Sequence, residues 1–529
     1  MLPFVFTPAY AEIHYRFRYF FSLLKKREPE IIADVPYRVE RLQPLPVLLL
    51  IKDADAYPIH LQKAEVFVNG QKVESRSFDT LIDRHFYEAV LEVSTEKLQA
   101  GKTEIAVKIW YGINGKAKVC FNDNYRTGSK APLICYVSDE ALPAEDGFFY
   151  GDLHSHSSFT EDQIEFGAGL ESMRRMAGAV GLNFFAVTDH SYDLDDLPDN
   201  YLVNDPQLRK WSAFKRQVAQ LNARPSGPVI IPGEELSVGN RKNQNAHLLV
   251  LNNPDFIEGR GDSGEKWFRF KPDHQIDDIP ALISEQAMLI PAHSAEKVPL
   301  VQKLFINRGE WSEADLQHPF FTAVQSINGG NAKETEAGIR QWVHFLLKGR
   351  KRTLIAGNDA HGSFARNRHI GIPFIYLRES LRHRFGVWKT GVFIRDFDRR
   401  PETILQAVRK GQVMVTNGPF VNLQARGNGD WIPMGGQIDK IKEIRLQVRS
   451  TREFGAVQNI RILGGDLQQR KETVLWQKTF DANQTFERQE KISLRVSEAI
   501  GYIRCHVISA TDTERFQGLT NAIYLKRNV

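Results

Sequence analysis

Between Phe148 and Gly418, apolar runs of strand length alternate with amphipathic segments of helix length. That alternation predicts an α/β unit with parallel strands. Seven runs read as buried strands: FFYGDL, FFAVT, VIIPG, HLLVL, MLIPA, TAVQSI and TLIAG. The segments LESMRRMAGAV, Leu208 to Ala223 and TEAGIRQWVHFLLKG carry helical spacing between them. Seven strands with intervening helices favour a barrel near the (βα)8 plan, with active residues at the C-terminal strand ends. A doubly wound sheet fits the same pattern. After Pro401, ETILQAVRKG reads as a helix and VMVTNG as the strand that closes the unit.

The flanks follow a different rhythm. From Val35 to Val137, short β-rich runs such as PVLLLI, AEVFVNG, EAVLEVS and TEIAVKIWYG recur between turn signals. Beyond Pro419 the runs IRLQVRS, NIRILGG, KISLRV and YIRCHVIS do the same. Two all-β, sandwich-like domains are expected, giving a division into 1–147, 148–418 and 419–529.

A chain of 529 residues is too long for one hydrophobic core, so several domains are required. Hydrophobic residues at 42% and charged residues at 25% fit a folded, water-soluble protein. The net charge of +5 is small for this length and lends no support to non-specific nucleic-acid binding. Cys120, Cys135 and Cys505 lack the spacing of a zinc knuckle or a disulfide framework. Near the start, Lys25 and Lys26 follow the aromatic stretch rather than precede it, the wrong order for a secretory signal. The run from Tyr15 to Leu24 is far shorter than the roughly 20 apolar residues of a membrane span and reads as a packed amphipathic segment. A cytoplasmic protein without membrane or nucleic-acid partners is expected, and its oligomeric state is left open.

The chemistry lies at the strand ends. FFYGDL runs into His154-Ser155-His156, and alternation along an extended chain turns both imidazoles to one side. FFAVT ends in Asp189-His190, and VIIPG in Glu234-Glu235. His247 starts HLLVL, His293 closes MLIPA, and Asp359 with His361 closes TLIAG. One histidine beside an apolar run is ordinarily a hydrogen-bonded core residue. Here six of fifteen histidines share that placement, with carboxylates for partners. Imidazole and carboxylate without thiolate suit Zn, Mn or Fe at a catalytic site. The ligand candidates exceed what one centre needs, so two or three divalent ions are inferred.

The ordered motifs GDLHSHS, AVTDH, PGEE, PAH and NDAH resemble the polymerase and histidinol phosphatase (PHP) family, over roughly Phe148 to Gly418. The layout through VMVTNGP and LTNAIYL resembles the carbaryl-hydrolase-like branch of that superfamily. The resemblance implies a distorted (βα)7 barrel with a two- or three-metal site. By it, the metal ligands are His154, His156, Asp162, His190, Glu235, His247, His293, Asp359 and His361, with Glu235 bridging two ions. His154, His156, Glu235, His293 and Asp359 are the expected catalytic set. At the early acidic position Glu161 and Glu165 compete with Asp162. Asp189 is expected to orient a neighbour rather than bind metal. Amidohydrolase barrels also open with HxH, but no strand end here offers the lysine that they commonly carbamylate.

Arg366 and Arg368, just after the last ligand pair, are candidates for holding an anionic substrate. The long segment from Asn252 to His274, with Trp267, Phe268 and Phe270, is a candidate lid. The expected activity is hydrolysis of a small, anionic phosphoester. Hydrolysis of a carbamate or carboxylic ester is the alternative, and a non-catalytic binding scaffold a further one.

Overall fold

The computed structural model describes residues 27–125, 130–160, 167–197, 200–261, 271–366, 369–372, 375–378, 383–481 and 485–526. The amphipathic segment near the start, Glu161, Asp162, Glu165, Arg368 and the aromatic part of the lid segment lie outside the described residues. Among the described residues no helix is long and apolar enough to cross a membrane.

The N-terminal part packs two sheets face to face. One joins Glu30–Asp34, Leu45–Lys52 and Phe86–Val93; the other is built on Ile59–Val68 and Gly101–Ile113. The long strand shows why: Thr103, Ile105, Val107, Ile109 and Tyr111 are buried, whereas Lys102 and Glu104 face outward. Period-two alternation fits a sheet with one covered face. The apolar rows of both sheets form one core cluster.

Most of the strands that carry the candidate site belong to a thirteen-stranded mixed sheet. We label β1 Phe148–Asp152, β2 Phe184–Val187, β3 Val229–Gly239, β4 Asn245–Leu251, β5 Met288–Pro291, β6 Ala323–Asn328 and β7 Thr353–Gly357. β1, β2 and β3 are mutually parallel, and α1 (Leu170–Val180) crosses from the first to the second. β3, β4 and β5 pair antiparallel, and β6 and β7 form a separate parallel pair. On the other side of β1 the strands Lys389–Phe393 and Val413–Thr416 add antiparallel. From there the sheet runs without a break into the C-terminal strands Arg515–Thr520, Ile500–Ala510, Ala456–Asp466 and Lys471–Thr479.

This corrects the expectation of a distorted (βα)7 barrel flanked by separate β domains. Strand accounts for 44% of the structure and helix for 15%. The hydrogen-bonded ladder does not repeat a parallel βα unit. The physical reason is the link between β3 and β4. Asn240 accepts the N–H groups of Lys242 and Gln244 through Oδ1, closing a tight turn. A turn that short returns the chain antiparallel, whereas a parallel crossover needs a dozen or more residues. The doubly wound alternative fails for the same reason.

Both flanking parts grip the site-bearing segments. Asp34 accepts the backbone N–H groups of Phe364, Ala365 and Arg366 at 2.9, 2.9 and 2.7 Å. Asn521 accepts from Leu354 N–H and donates to the carbonyls of Leu354 and Val413. The strand that leads to Asp359 is thus pinned from the C-terminal side, and the loop that follows His361 from the N-terminal side.

Candidate metal centre

The register of the β3–β4 hairpin sets the centre of the site. Glu235 pairs with Leu249 and Ser237 with His247, so Glu235 and His247 are diagonal neighbours on one face. His247 Nδ1 lies 2.6 Å from Glu235 Oε1. Glu234 points to the opposite face, where Ser191 Oγ and the Ile257 N–H donate to it. There burial pushes its carboxyl up to about 8.

Two short pairings bring in the rest. His190 bridges to Glu235 across β2 and β3, and His190 Nδ1 lies 3.2 Å from Glu235 Oε2. Ser155-His156 pairs in parallel with Ala360-His361, which stacks the His156 and His361 rings at 4.0 Å. His154 Nε2 and His156 Nε2 are 3.2 Å apart, each 3.4 Å from Glu235 Oε2. They lie 3.3 and 3.0 Å from Asp359 Oδ1. His293 Nε2 is 3.1 Å from Glu235 Oε1.

Five imidazoles therefore meet one carboxylate, with Asp359 and His361 alongside. His293 and Asp359 have φ of 30° and 52°, a left-handed backbone that L residues adopt at a cost. Such strain collects where surrounding structure holds a site in place.

A surrounding layer fixes the rings. His154 Nδ1 donates to Gln325 Oε1 at 2.9 Å, which leaves Nε2 as the lone pair facing the cluster. Asp189 accepts from Ser157 N–H, Ser157 Oγ and Thr160 Oγ1, and Thr160 touches His156 Nδ1. Asp189 is thus an orienting group. Asp152 accepts from Asn358 Nδ2 and the His154 N–H, joining the segments that end in HxH and in Asp359.

The electrostatics follow from burial and from the close opposite charges. Burial alone would raise the Glu235 carboxyl, but His247 and His154 hold it well below the usual carboxylate range. Asp359 is likewise held down, against burial, by His154 and His156. Burial opposes a charge on His156, yet Asp359 and Glu235 lift it to about 10. Burial and the neighbouring His156 push His190 down to about 4.

Divalent cations fit this donor set. Three groups have ligand atoms within 4.8 Å of one another: His156, His190 and His361; His154, His156, Glu235 and Asp359; and His190, Glu235 and His247. His190 Nδ1 and Glu235 Oε2 lie 3.2 Å apart without a well-directed hydrogen bond, and an imidazole and a carboxylate placed so are a donor set that suits a shared cation.

Arg366 is buried beside Asp34, where its positive charge opposes the rise that burial imposes on the Asp34 carboxyl. Gln325 is visible in the sequence only as a polar residue inside an apolar strand. No motif marks Tyr192, whose ring stacks on His190 at 4.7 Å, or Arg308. Arg308 Nη2 lies 2.8 Å from His247 Nδ1 and 3.5 Å from His293 Nε2, and Nη1 contacts His247 Nε2.

No protein-family model and no curated protein matches the chain. Among solved structures, the CARDB domain of the PF1109 protein from Pyrococcus furiosus, in complex with di-metal ions, aligns at 13% identity and a TM-score of 0.15. That alignment covers 20% of this chain and 97% of the domain. An FMN-binding β-glucuronidase from Facaelibacterium prausnitzii L2-6 aligns at 10% identity and a TM-score of 0.18, over 94% of this chain and 73% of its own. A β-glucuronidase from Parabacteroides merdae aligns at 8% and 0.20, over 94% and 64%. TM-scores this low say nothing about activity.

Proposed function

We propose that this chain is a metal-dependent hydrolase with the ligand set of the PHP family, acting on a small phosphoester. The convergence of His154, His156, His190, His247 and His293 on Glu235, with Asp359 beside them, carries the reading. The set would hold two or three divalent ions of the Zn, Mn or Fe kind. Such ions, when bound, supply a water of lowered pKa and neutralise charge that develops on the substrate oxygens.

The chain's own groups have separable tasks. Glu235 presents one oxygen to His247 and His293 and the other to His154, His156 and His190, so it suits the bridging position between two ions. His154 is locked in one tautomer by Gln325. Asp359 and His361 are less deeply buried than the HxH pair and line the more open side, where a substrate oxygen can approach.

The test joins metal content to turnover. Protein purified without added metal is analysed by mass spectrometry and assayed on p-nitrophenyl phosphate, bis-p-nitrophenyl phosphate and 1-naphthyl methylcarbamate, with His156→Ala as control. Two or three metals per chain and phosphoester turnover abolished in the variant are expected. Turnover of the carbamate alone would move the assignment to a carbamate or carboxylic ester hydrolase. No reconstitutable metal, with wild type and variant alike, would sink the hydrolase.

A further inference from the structure

We infer that the C-terminal strands carry a phosphate-binding site of their own, formed by Arg461 and Arg515 beside His506. None of its residues belongs to the histidine cluster, so it does not depend on the hydrolase reading.

The register builds the site. Opposed residues of an antiparallel pair share a face of the sheet, and so do residues two apart on one strand. Arg461 opposes His506, and Arg504 lies two residues before His506 on the same strand. On the next strand Gln517 opposes Ile508 and Arg515 opposes Ala510. Three guanidiniums and one imidazole therefore occupy one face of three adjacent strands. Arg461, His506 and Gln517 are half-buried and Arg515 is exposed, so the group is open to solvent at its rim.

The arginines are not equivalent. Arg504 is buried and spends its fork on Glu472, at 2.7 Å from both Nε and Nη2, while its guanidinium lies over the Trp342 ring at 5.4 Å. Arg461 has no such carboxylate among the described residues. Its Nη2 faces His506 Nδ1 at 3.5 Å, and its buried Nε has no acceptor.

His506 directs that guanidinium without neutralising it. Its Nε2–H donates to Gln517 Oε1 at 2.9 Å, which turns the lone pair of Nδ1 toward Arg461. Burial, then Arg504, with Arg461 and Arg515 adding to both, pushes the imidazole down to about 3, so it is uncharged near neutral pH. A guanidinium with a buried N–H and no counter-charge carries a desolvation cost that an oxyanion offsets. The Arg461 fork, with the Arg515 charge at the rim, suits a group that offers several oxygens and two negative charges. A phosphate is such a group.

Free phosphate and a phosphomonoester share this chemistry. The full chain is therefore titrated calorimetrically with inorganic phosphate and with glycerol 3-phosphate, at constant ionic strength and with EDTA present. Wild type, Arg461→Gln, Arg515→Gln and Arg470→Gln are compared, with thermal unfolding measured on each. Arg470 is an exposed arginine on the turn beyond Asp466 and serves as the charge control. Loss of the charged fork should weaken binding about 10- to 100-fold in Arg461→Gln, less in Arg515→Gln, and not in Arg470→Gln. The tighter of the two ligands names the source of the phosphate. Equal affinity in wild type and folded Arg461→Gln overturns the site, as does a wild type that binds neither ligand. Should Arg461→Gln fail to fold, Arg515→Gln decides, and unchanged affinity there overturns the site. Equal weakening by Arg470→Gln also overturns it, because net charge alone would then set the affinity. Binding that requires added Mn in place of EDTA assigns the phosphate to the histidine cluster and overturns the site as well.

Discussion

Gln325 Oε1 accepts from His154 Nδ1 at 2.9 Å and from the His293 N–H at 3.3 Å, so one amide oxygen positions two of the clustered histidines. Gln325→Leu keeps the bulk of the side chain and removes both bonds. His154 then loses the partner that fixes its tautomer, and His293 part of what holds its left-handed backbone. Loss of such a supporting partner should weaken metal binding about 10- to 100-fold with little change in fold. Competition against a chromogenic chelator measures it, and circular dichroism checks the fold.

Asp34 makes a prediction from far outside the cluster in sequence. Asp34→Ala strips the acceptor from three buried N–H groups at Phe364, Ala365 and Arg366. Each unsatisfied buried donor costs about 1–3 kcal/mol, so a destabilisation of roughly 3–5 kcal/mol is expected where the loop relaxes in part. Urea unfolding gives the figure. Because the loop continues from His361, metal should also leave the variant faster than the wild type.

The strand ends were legible because histidines and carboxylates clustered beside apolar runs leave a local mark. HxH, TDH and NDAH sit where apolar runs stop, and the structure brings His154, His156, His190, Asp359 and His361 together. Strand direction was less legible, because an apolar run reads the same whichever way it pairs. The short link from Val238 through Asn240 to His247 held the clue, since only a hairpin spans it. Gln325 left only the weak trace of a polar residue inside an apolar strand, and Arg308 left none. Their roles come from contacts with His154, 171 residues away, and with His247, 61 residues away.

Glu235→Gln separates shape from charge at the proposed bridging position. The amide fills the same space but offers the five surrounding imidazoles no negative charge to share with cations. The variant should bind at least one metal fewer per chain than wild type. Binding to the native state alone stabilises by about 2.7 kcal/mol at a metal concentration 100-fold above Kd. Adding Mn should therefore raise the melting temperature of wild type, and EDTA should reverse the rise. Glu235→Gln should respond weakly to both. A full metal complement in that variant would refute the bridging role.

His506 predicts an acid sensitivity independent of the candidate metal centre. Its Nε2–H donates to Gln517 Oε1 at 2.9 Å, and Arg461 Nη2 faces its Nδ1 at 3.5 Å. Burial, with the positive Arg504 nearby, pushes the folded pKa down to about 3. The unfolded chain takes up its proton near the ordinary histidine value of about 6.5. Between those two values the unfolded state binds more protons than the folded one, so stability falls as the pH drops through that window. Above about 6.5 the contribution is fully present. His506→Gln keeps a donor for Gln517 and removes the titration, so its urea midpoint should change less between pH 7 and pH 5 than that of wild type. Equal pH dependence in both proteins would show that His506 titrates as freely in the fold as in the unfolded chain.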